Sequence, residues 1–165
     1  MGNGDSGSYE QAKALIVDRN TNVFPSGFAA QIDSMPLEQQ RKFAENALYN
    51  ATKGKTIHKT IDGNEVYISF IPKQSKHAIG DALAKHLIPA SQIATIPQLI
   101  ANSNDVTSGE LTKDRNDGKD KFYYVYTNVN GRRVCFNIAH ETRVFTRGKK
   151  RKVVTKEYTY LYAIT

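Results

Sequence analysis

The amino-acid sequence predicts an α+β fold in which N-terminal helices are followed by a twisted antiparallel β-sheet, a meander with a helical insert. Three observations predict this class. Apolar residues recur at helical spacing before residue 54, and tight-turn signals join β-branched segments after it. Residues 121–165 carry strand patterns throughout. The 165 residues, of which 39% are hydrophobic, are enough for one domain with a sizeable core.

Helices are predicted in the N-terminal part. Residues 1–8 are rich in Gly and Ser, and we interpret them as a flexible linker or a remnant of cloning. Residues 9–54 are expected to form a helical part and residues 55–165 an α+β core. The predicted elements of the helical part are a short helix at Tyr9–Arg19, a loop at Asn20–Phe28 and a helix at Pro36–Thr52. Pro36 suits the first turn of that last helix, and Gly54 ends it.

The middle of the chain changes from strand to helix periodicity. Its predicted elements are, in order, strands at Lys55–Ile61 and Glu65–Ile71, a helix from Ser75 to about Leu87, a short helix at Ile96–Asn102 and a loop at Ser103–Asp120. The turn Asp62-Gly63-Asn64 favours a hairpin between the two strands. Pro72 is expected to end the second strand, and Ser75 to cap the helix that follows.

The C-terminal part is predicted to be entirely β. Its strands are expected at Phe122–Asn128, Arg132–His140, Arg143–Thr146, Lys152–Glu157 and Tyr158–Thr165. Asn130-Gly131 is a strong two-residue hairpin signal, and Gly148 lies in a basic turn. Strict alternation would place Tyr158, Tyr160, Tyr162 and Ile164 on one face of the last strand.

Charge is concentrated in the second half of the chain. The net charge is +7, but residues 1–72 carry −1 and residues 73–165 carry +8. Arg132–Lys156 contains nine basic residues and a single acid, Glu141, and six of the nine tyrosines follow residue 120. Cations interleaved with aromatic rings suit a nucleic-acid surface. The alternative is a solvated sheet face with tyrosines at its rim.

Several classes of protein are excluded or disfavoured. Cys135 is the only cysteine, which excludes an internal disulfide and a cysteine-based zinc site, and we expect it to be a buried thiol. No apolar run approaches the ~20 residues of a membrane helix. The four histidines lack metal-binding spacing, and no glycine-rich nucleotide-binding motif is present. We therefore expect no metal and no cofactor.

Two histidines are candidates for acid–base chemistry. Ser75-Lys76-His77 is predicted to lie at a helix start, where unpaired N–H groups, Lys76 and His77 would suit a phosphate. The alternative is an exposed Lys–His pair. His86 falls on the apolar stripe of the same predicted helix, so we expect it to be half-buried. His140 begins a His-Glu-Thr-Arg segment after a strand and is either a histidine at the edge of the core or a catalytic one.

Candidate groups for substrate contact follow in the same region. Thr142 and Arg143 bring a hydroxyl and a fixed cation beside His140. The tyrosines around Tyr160 are expected to lie opposite Tyr123, Tyr124 and Tyr126, either packing structurally or stacking on bases. The predicted phosphate-binding cations are Lys76, Arg133, Arg147, Lys149, Lys150, Arg151 and Lys152. The basic run among them also matches a targeting tract or a solvated hairpin tip.

The layout resembles a known superfamily over about residues 40–165. Helices and a hairpin precede Ser75-Lys76-His77 and Lys85-His86, which lead into Ile96-Pro97-Gln98-Leu99-Ile100-Ala101-Asn102 and a basic meander ending in Tyr160-Leu161-Tyr162-Ala163-Ile164-Thr165. This order resembles the barnase–EndoU–colicin–RelE superfamily. It is most similar to toxin domains at the C-termini of bacterial polymorphic and contact-dependent inhibition toxins, and to related phage nucleases.

The resemblance implies a metal-independent ribonuclease that uses the RNA 2′-OH as nucleophile, with transfer RNA as one candidate substrate. It also implies a cognate immunity protein, a larger parent toxin or phage protein, and delivery into the cytoplasm of a target cell. The residues that could carry the reaction are His77 or His140 as acid and base, Lys76, Arg143 or Arg133 as cation, and Thr142 or Tyr160 as hydrogen-bonding partner. The alternatives are a non-catalytic nucleic-acid-binding module and a protein-interaction domain of a phage or toxin.

Overall fold

The computed structural model describes residues 26–110, 119–148 and 152–165. Its first elements are helix α1 (Ser26–Asp33) and helix α2 (Leu37–Thr52). The second helix confirms the predicted one at Pro36–Thr52, since Pro36 occupies its N-cap. The predicted loop at Asn20–Phe28 is wrong from Ser26 onward, where α1 begins. The predicted linker at residues 1–8 and helix at residues 9–19 lie outside the described residues.

A hairpin follows α2 and is attached to the main sheet. Strands β1 (Ile57–Ile61) and β2 (Asn64–Ile68) pair antiparallel around a turn in which Asp62 and Gly63 both have positive φ. Beyond β2, the Ser69 amide donates to the Thr159 carbonyl at 2.9 Å, and the Leu161 amide donates to the Ser69 carbonyl at 3.2 Å. One residue therefore fixes the hairpin, and the helix after it, to the last strand of the sheet.

Three short helical elements come next: α3 (Pro72–Ala84), a 3₁₀ helix (Ala90–Thr95) and α4 (Ile96–Asn102). The start of α3 corrects the prediction. Pro72 begins the helix rather than ending a strand, because its fixed φ suits a first turn and its missing N–H is not needed there. Ser75 is consequently buried inside the helix instead of capping it. The short helix at Ile96–Asn102 is confirmed.

Four antiparallel strands form the main sheet in the order β3 (Asp105–Glu110), β4 (Lys119–Val129), β5 (Arg132–Arg147) and β6 (Lys152–Ile164). The predicted Asn130-Gly131 turn is confirmed, with φ of 52° and 80°. The predicted breaks within β5 and β6 are wrong, since each strand runs through. The predicted loop at residues 103–120 is wrong for β3, whose pairing with β4 outweighs its low strand propensity.

The core lies between the helices and one face of the main sheet. Its fully buried members include Phe43, Phe70, Ile79, Phe136, Ile138, Leu161 and Ile164. The opposite face carries a smaller cluster of Phe122, Ala139 and Tyr160. We call this opposite face the outer face. Within the described ranges, no helix is long and apolar enough to cross a membrane.

A β-bulge decides which residues of β6 reach the outer face. Ile138 pairs with Leu161, but its neighbour Asn137 pairs with Ala163, so Tyr162 is an extra residue in β6. Tyr160 and Tyr162 contact the outer-face cluster, whereas Ile164 joins the core. The expectation that Ile164 shares a face with the tyrosines is therefore wrong.

The main sheet has a two-stranded extension. Pairing of β4 with β5 reaches Lys119↔Glu141, whereas pairing of β5 with β6 continues to Arg147↔Lys152. Residues 142–147 and 152–157 thus form a ribbon beyond the four-stranded part, which we call the β-arm. It continues both faces of the sheet.

Two glycine substitutions should change stability in opposite directions. A Cβ at Gly131 or at Gly80 meets no atom within 4 Å, so only backbone conformation differs. Gly131→Ala should lower the free energy of unfolding by about 1–2 kcal/mol, because φ is 80° there. Gly80→Ala, inside α3, should raise it by about 0.5–1 kcal/mol. Urea unfolding of both variants tests this, and shifts of the same sign would contradict it.

Candidate functional site

A cleft of about 760 Å³ lies between α3 and the outer face of β5 and β6. We call it the α3–sheet cleft. Its α3 side presents Lys73, Lys76, His77 and Asp81, and its sheet side presents Arg143, Tyr158, Tyr160 and Tyr162. The cleft brings together four of the predicted site residues: Lys76, His77, Arg143 and Tyr160.

A buried carboxylate organises the sheet side of the cleft. The Glu141 side chain is 8% exposed and accepts a hydrogen bond from the Tyr160 hydroxyl at 2.7 Å. Arg143 donates to the same carboxylate twice, from Nε at 2.8 Å and from Nη2 at 3.2 Å. Bidentate pairing of this kind fixes the plane of the guanidinium as well as its position.

The ionisation of this network follows from its hydrogen bonds. Those donated by Arg143 lower the pKa of Glu141, against the opposing effect of burial. Burial raises the pKa of the Tyr160 phenol, and its bond to Glu141 raises it further. The same ion pair raises the pKa of Arg143. At neutral pH the cleft therefore holds a carboxylate, a neutral phenol and a permanently charged guanidinium.

Cations lie against the aromatic rings of the outer face. The Arg143 guanidinium is 5.0 Å from the centre of the Tyr158 ring, and the Lys119 ammonium is 4.7 Å from that of Tyr162. The His77 and Tyr162 ring centres are 5.5 Å apart. These contacts bring positive charge and π-faces together, the combination that binds phosphates and bases.

His77 is the imidazole on the helix side of the cleft. Its side chain is 62% exposed, and its Nε2 lies 3.4 Å from Oδ2 of the largely buried Asp81. A carboxylate beside an imidazole helps to orient the ring. The predicted helix-start site is wrong, because α3 begins at Pro72 and His77 lies in its second turn.

The cleft margin contains polar atoms without partners. Nε of Arg41 and Oε1 of Gln74 are buried and have no hydrogen-bond partner among the described residues. Both residues line the cleft. Unsatisfied buried polar atoms are rare in folded proteins. Two others in the described part of the chain, Oε1 of Gln39 and Oγ of Ser75, do not line the cleft.

His140 lies elsewhere. Its Nδ1 is 2.5 Å from Oδ1 of Asp120, and Thr142 donates to the other Asp120 oxygen at 2.9 Å. Its Nε2 is 4.0 Å from Glu157. Successive strand residues point to opposite faces, so His140 and Thr142 face away from Glu141 and Arg143. His77 and His140 therefore do not share a site.

His86 does not behave as the apolar stripe predicted. It is exposed, with a φ of 53°. The prediction of a half-buried histidine is wrong because α3 ends at Ala84, and the left-handed conformation at residue 86 takes this position off the helical stripe.

The predicted phosphate-binding cations separate along β5 and β6. Arg133 is ten residues from Arg143, roughly 33 Å along the strand, and pairs with Asp105 at 3.0 Å. It is therefore outside the cleft. Arg147 and Lys152 pair at the end of the β-arm. Lys149, Lys150 and Arg151 lie outside the described residues.

The tyrosines meet differently from the prediction. Strand β5 lies between β4 and β6, so Tyr123, Tyr124 and Tyr126 are not directly opposite the β6 tyrosines. Tyr123 is in the core, and Phe122 is the β4 residue whose ring lies 5.8 Å from that of Tyr162. Cys135 is buried, as predicted.

Sequence reasoning missed the role of Glu141. The available signal was its isolation as the one acid between Arg132 and Lys156, two residues before Arg143. Its second partner, Tyr160, comes from a different strand, so the network could not be derived from local spacing. Asp81, four residues after His77 on α3, was also missed.

Comparisons with protein-family models, with curated proteins and with solved structures find no match for this chain. Among the described residues, no group of three or more His, Cys, Asp or Glu side chains could hold a metal ion.

Removing the charge of Glu141 should destabilise the fold in a pH-dependent way. Folding lowers the pKa of Glu141 from its unfolded value near 4.5. The ionised carboxylate therefore contributes stability above pH 4.5, and this contribution is lost as the pH falls through the folded pKa. Glu141→Gln should therefore lower the free energy of unfolding by about 1–3 kcal/mol at pH 7. The difference from wild type should shrink below pH 4.5.

Glu157→Gln is the matched control, since Glu157 is also in the sheet but 72% exposed. Its effect at pH 7 should be within about 0.5 kcal/mol. Urea unfolding across pH measures both variants. Equal effects of the two substitutions would show that the carboxylate network does not contribute to stability.

Proposed function

We propose that this protein is a metal-independent endoribonuclease that cleaves RNA by attack of the 2′-OH on the adjacent phosphate. The α3–sheet cleft is its proposed active site. The observation that carries the proposal is the juxtaposition of an exposed imidazole, His77, with a guanidinium, Arg143, whose plane is fixed by a buried carboxylate.

The reaction has three chemical requirements. A base must take the proton of the 2′-OH, an acid must protonate the departing 5′-oxygen, and cations must stabilise the phosphorane. His77 is the proposed base, because an imidazole can accept the proton of the 2′-OH. Arg143 is the proposed phosphate ligand: Glu141 takes two of its five N–H donors, and within the described part of the chain no other hydrogen bond of Arg143 is found.

The proposed step conserves atoms and electrons. The 2′-oxygen forms a bond to phosphorus as its proton passes to His77, and the bond from phosphorus to the 5′-oxygen breaks. The products are a 2′,3′-cyclic phosphate and a 5′-hydroxyl. Because His140 is on the other face, Lys76, which also lines the cleft, is the proposed proton donor to the leaving oxygen.

The resemblance to toxin ribonucleases extends the proposal to the biological setting. The domain would belong to a larger toxin or phage protein, act in the cytoplasm of a target cell on RNA such as transfer RNA, and be inhibited by a cognate immunity protein. The charge of +8 on residues 73–165 supports a polyanionic substrate.

The second candidate function is a non-catalytic nucleic-acid-binding module. The cation–ring pairs Arg143–Tyr158 and Lys119–Tyr162 favour it, since such pairs bind bases and phosphates without any titrating group. Under this function no histidine would be required.

His77→Ala should reduce RNA cleavage by roughly 10²- to 10⁴-fold, because it removes the proposed base. The assay incubates total bacterial RNA with the purified protein in EDTA and resolves products on a denaturing gel. His86→Asn is the matched control, since His86 is exposed and Asn tolerates its left-handed backbone. It should cleave like wild type.

Arg143→Lys should also lower cleavage, by roughly 10²-fold, because a lysine keeps the charge but not the two-point orientation by Glu141. Full activity of folded His77→Ala would contradict the assignment of the base. Absence of cleavage by wild type, with RNA still shifted on a native gel, would favour the binding module.

A further inference from the structure

We propose that the β-arm is an extended substrate site, so that the enzyme acts on single-stranded RNA chains that continue past the cleavage point. This inference rests on the proposed ribonuclease function. It names a substrate class, a polynucleotide rather than a short oligonucleotide, and it assigns the extra contacts to residues 142–147 and 152–157.

The first argument is the repulsion between like charges that face each other across the two strands of the β-arm. Its register places Arg143 opposite Lys156. Like charges directly opposite each other destabilise an antiparallel pair. A two-stranded ribbon has little stability of its own to offset this, and Lys152 and Lys156 are exposed. A polyanion bound along the arm would bind these cations and reduce the repulsion.

The second argument is continuity with the cleft. Arg143 belongs to the cleft and also begins the arm, and strand alternation puts Phe145 on the same face. The Lys156 ammonium lies 5.8 Å from the centre of the Phe145 ring, as Arg143 lies against Tyr158. Cations and rings therefore alternate from the cleft outward, which matches the alternation of phosphates and bases in a single strand.

The third argument is the contrast between the two faces of the arm. The other face carries Thr142, Val144 and Thr146 on β5, with Val153 and Thr155 on β6. Val144 and Val153 are 65% and 64% exposed. Among the described side chains, the positive charge of the arm is thus confined to the face that continues the cleft. An RNA chain that leaves the cleft would therefore follow this face.

These features fit a single strand better than a duplex. In A-form RNA the bases are stacked and the deep major groove is inaccessible to side chains. The rings of Tyr158 and Phe145 can contact only bases that are unstacked. From Arg143 to Arg147 the arm extends roughly 13 Å, enough to follow more than one phosphate of an extended strand.

The test compares substrates of two lengths. Wild type and the double variant Lys152→Gln/Lys156→Gln, which places no new carboxylate opposite Arg143, are assayed on a dinucleoside monophosphate and on an unstructured 12-nucleotide RNA. The matched control is Lys55→Gln/Arg132→Gln, which makes the same change of charge at exposed positions outside the cleft and the arm. A thermal melt establishes that each variant is folded.

We expect kcat/KM of wild type to be at least tenfold higher on the 12-nucleotide RNA. The arm variant should lose at least fivefold on that RNA and less than twofold on the dinucleoside monophosphate, with a Tm no lower than wild type. The control should lose less than twofold on both. Equal losses on the two substrates, or no loss on the longer one, would overturn the proposal.

A binding measurement separates this inference from the ribonuclease itself. The probe is the same 12-nucleotide sequence with 2′-O-methyl groups, which cannot be cleaved. If wild type cleaves nothing but binds the probe at least fivefold more tightly than the arm variant, the ribonuclease proposal fails and the arm site stands. If the arm variant binds it as tightly as wild type, the arm proposal fails.

Discussion

Glu141 carries a charge that is nearly withdrawn from water on the outer face of the sheet, and a carboxylate in that position requires partners. Its partners come from both strands: Arg143 lies two residues along β5, and Tyr160 lies diagonally across on β6. Arg143 is beside Glu141 whatever the register, whereas the observed pairing of β5 with β6 brings Tyr160 to the carboxylate. The network therefore links the strand pairing to the orientation of the guanidinium and to the protonation of the phenol.

The cleft itself is made by two departures from regular structure. The bulge in β6 adds Tyr162 to the outer face, where its ring meets that of His77. The bridge through Ser69 fixes the chain three residues before α3, so the helix starts beside β6. Neither feature contributes a group to the proposed chemistry. They act by holding an imidazole from a helix near a guanidinium from a strand.

Much of the fold could be predicted from local sequence. Pro36 and the apolar stripe specify α2, and Asn130-Gly131 specifies the main hairpin because both residues adopt positive φ. The elements that were missed depend on distant partners. Strand β3 forms because it pairs with β4. Strand alternation gives the face on which His140 lies, but only the packing of α3 against β6 decides that His77 is not on that face. Candidate site residues could be predicted from their residue types. Which of them lie together is decided by the tertiary structure.

Several features of the cleft and the β-arm lower the stability of the fold. Among the described residues, unpartnered atoms at Arg41 and Gln74, opposed cations in the β-arm and exposed valines beside them all conflict with rules that the core obeys. None of these features is needed to hold the helices on the sheet. All of them lie on the cleft or the arm. Such local conflicts are stable only if the core compensates for them, and a polyanion on the same face would resolve the electrostatic ones. The opposed cations thus lie on the same face of the sheet as the groups of the proposed chemistry.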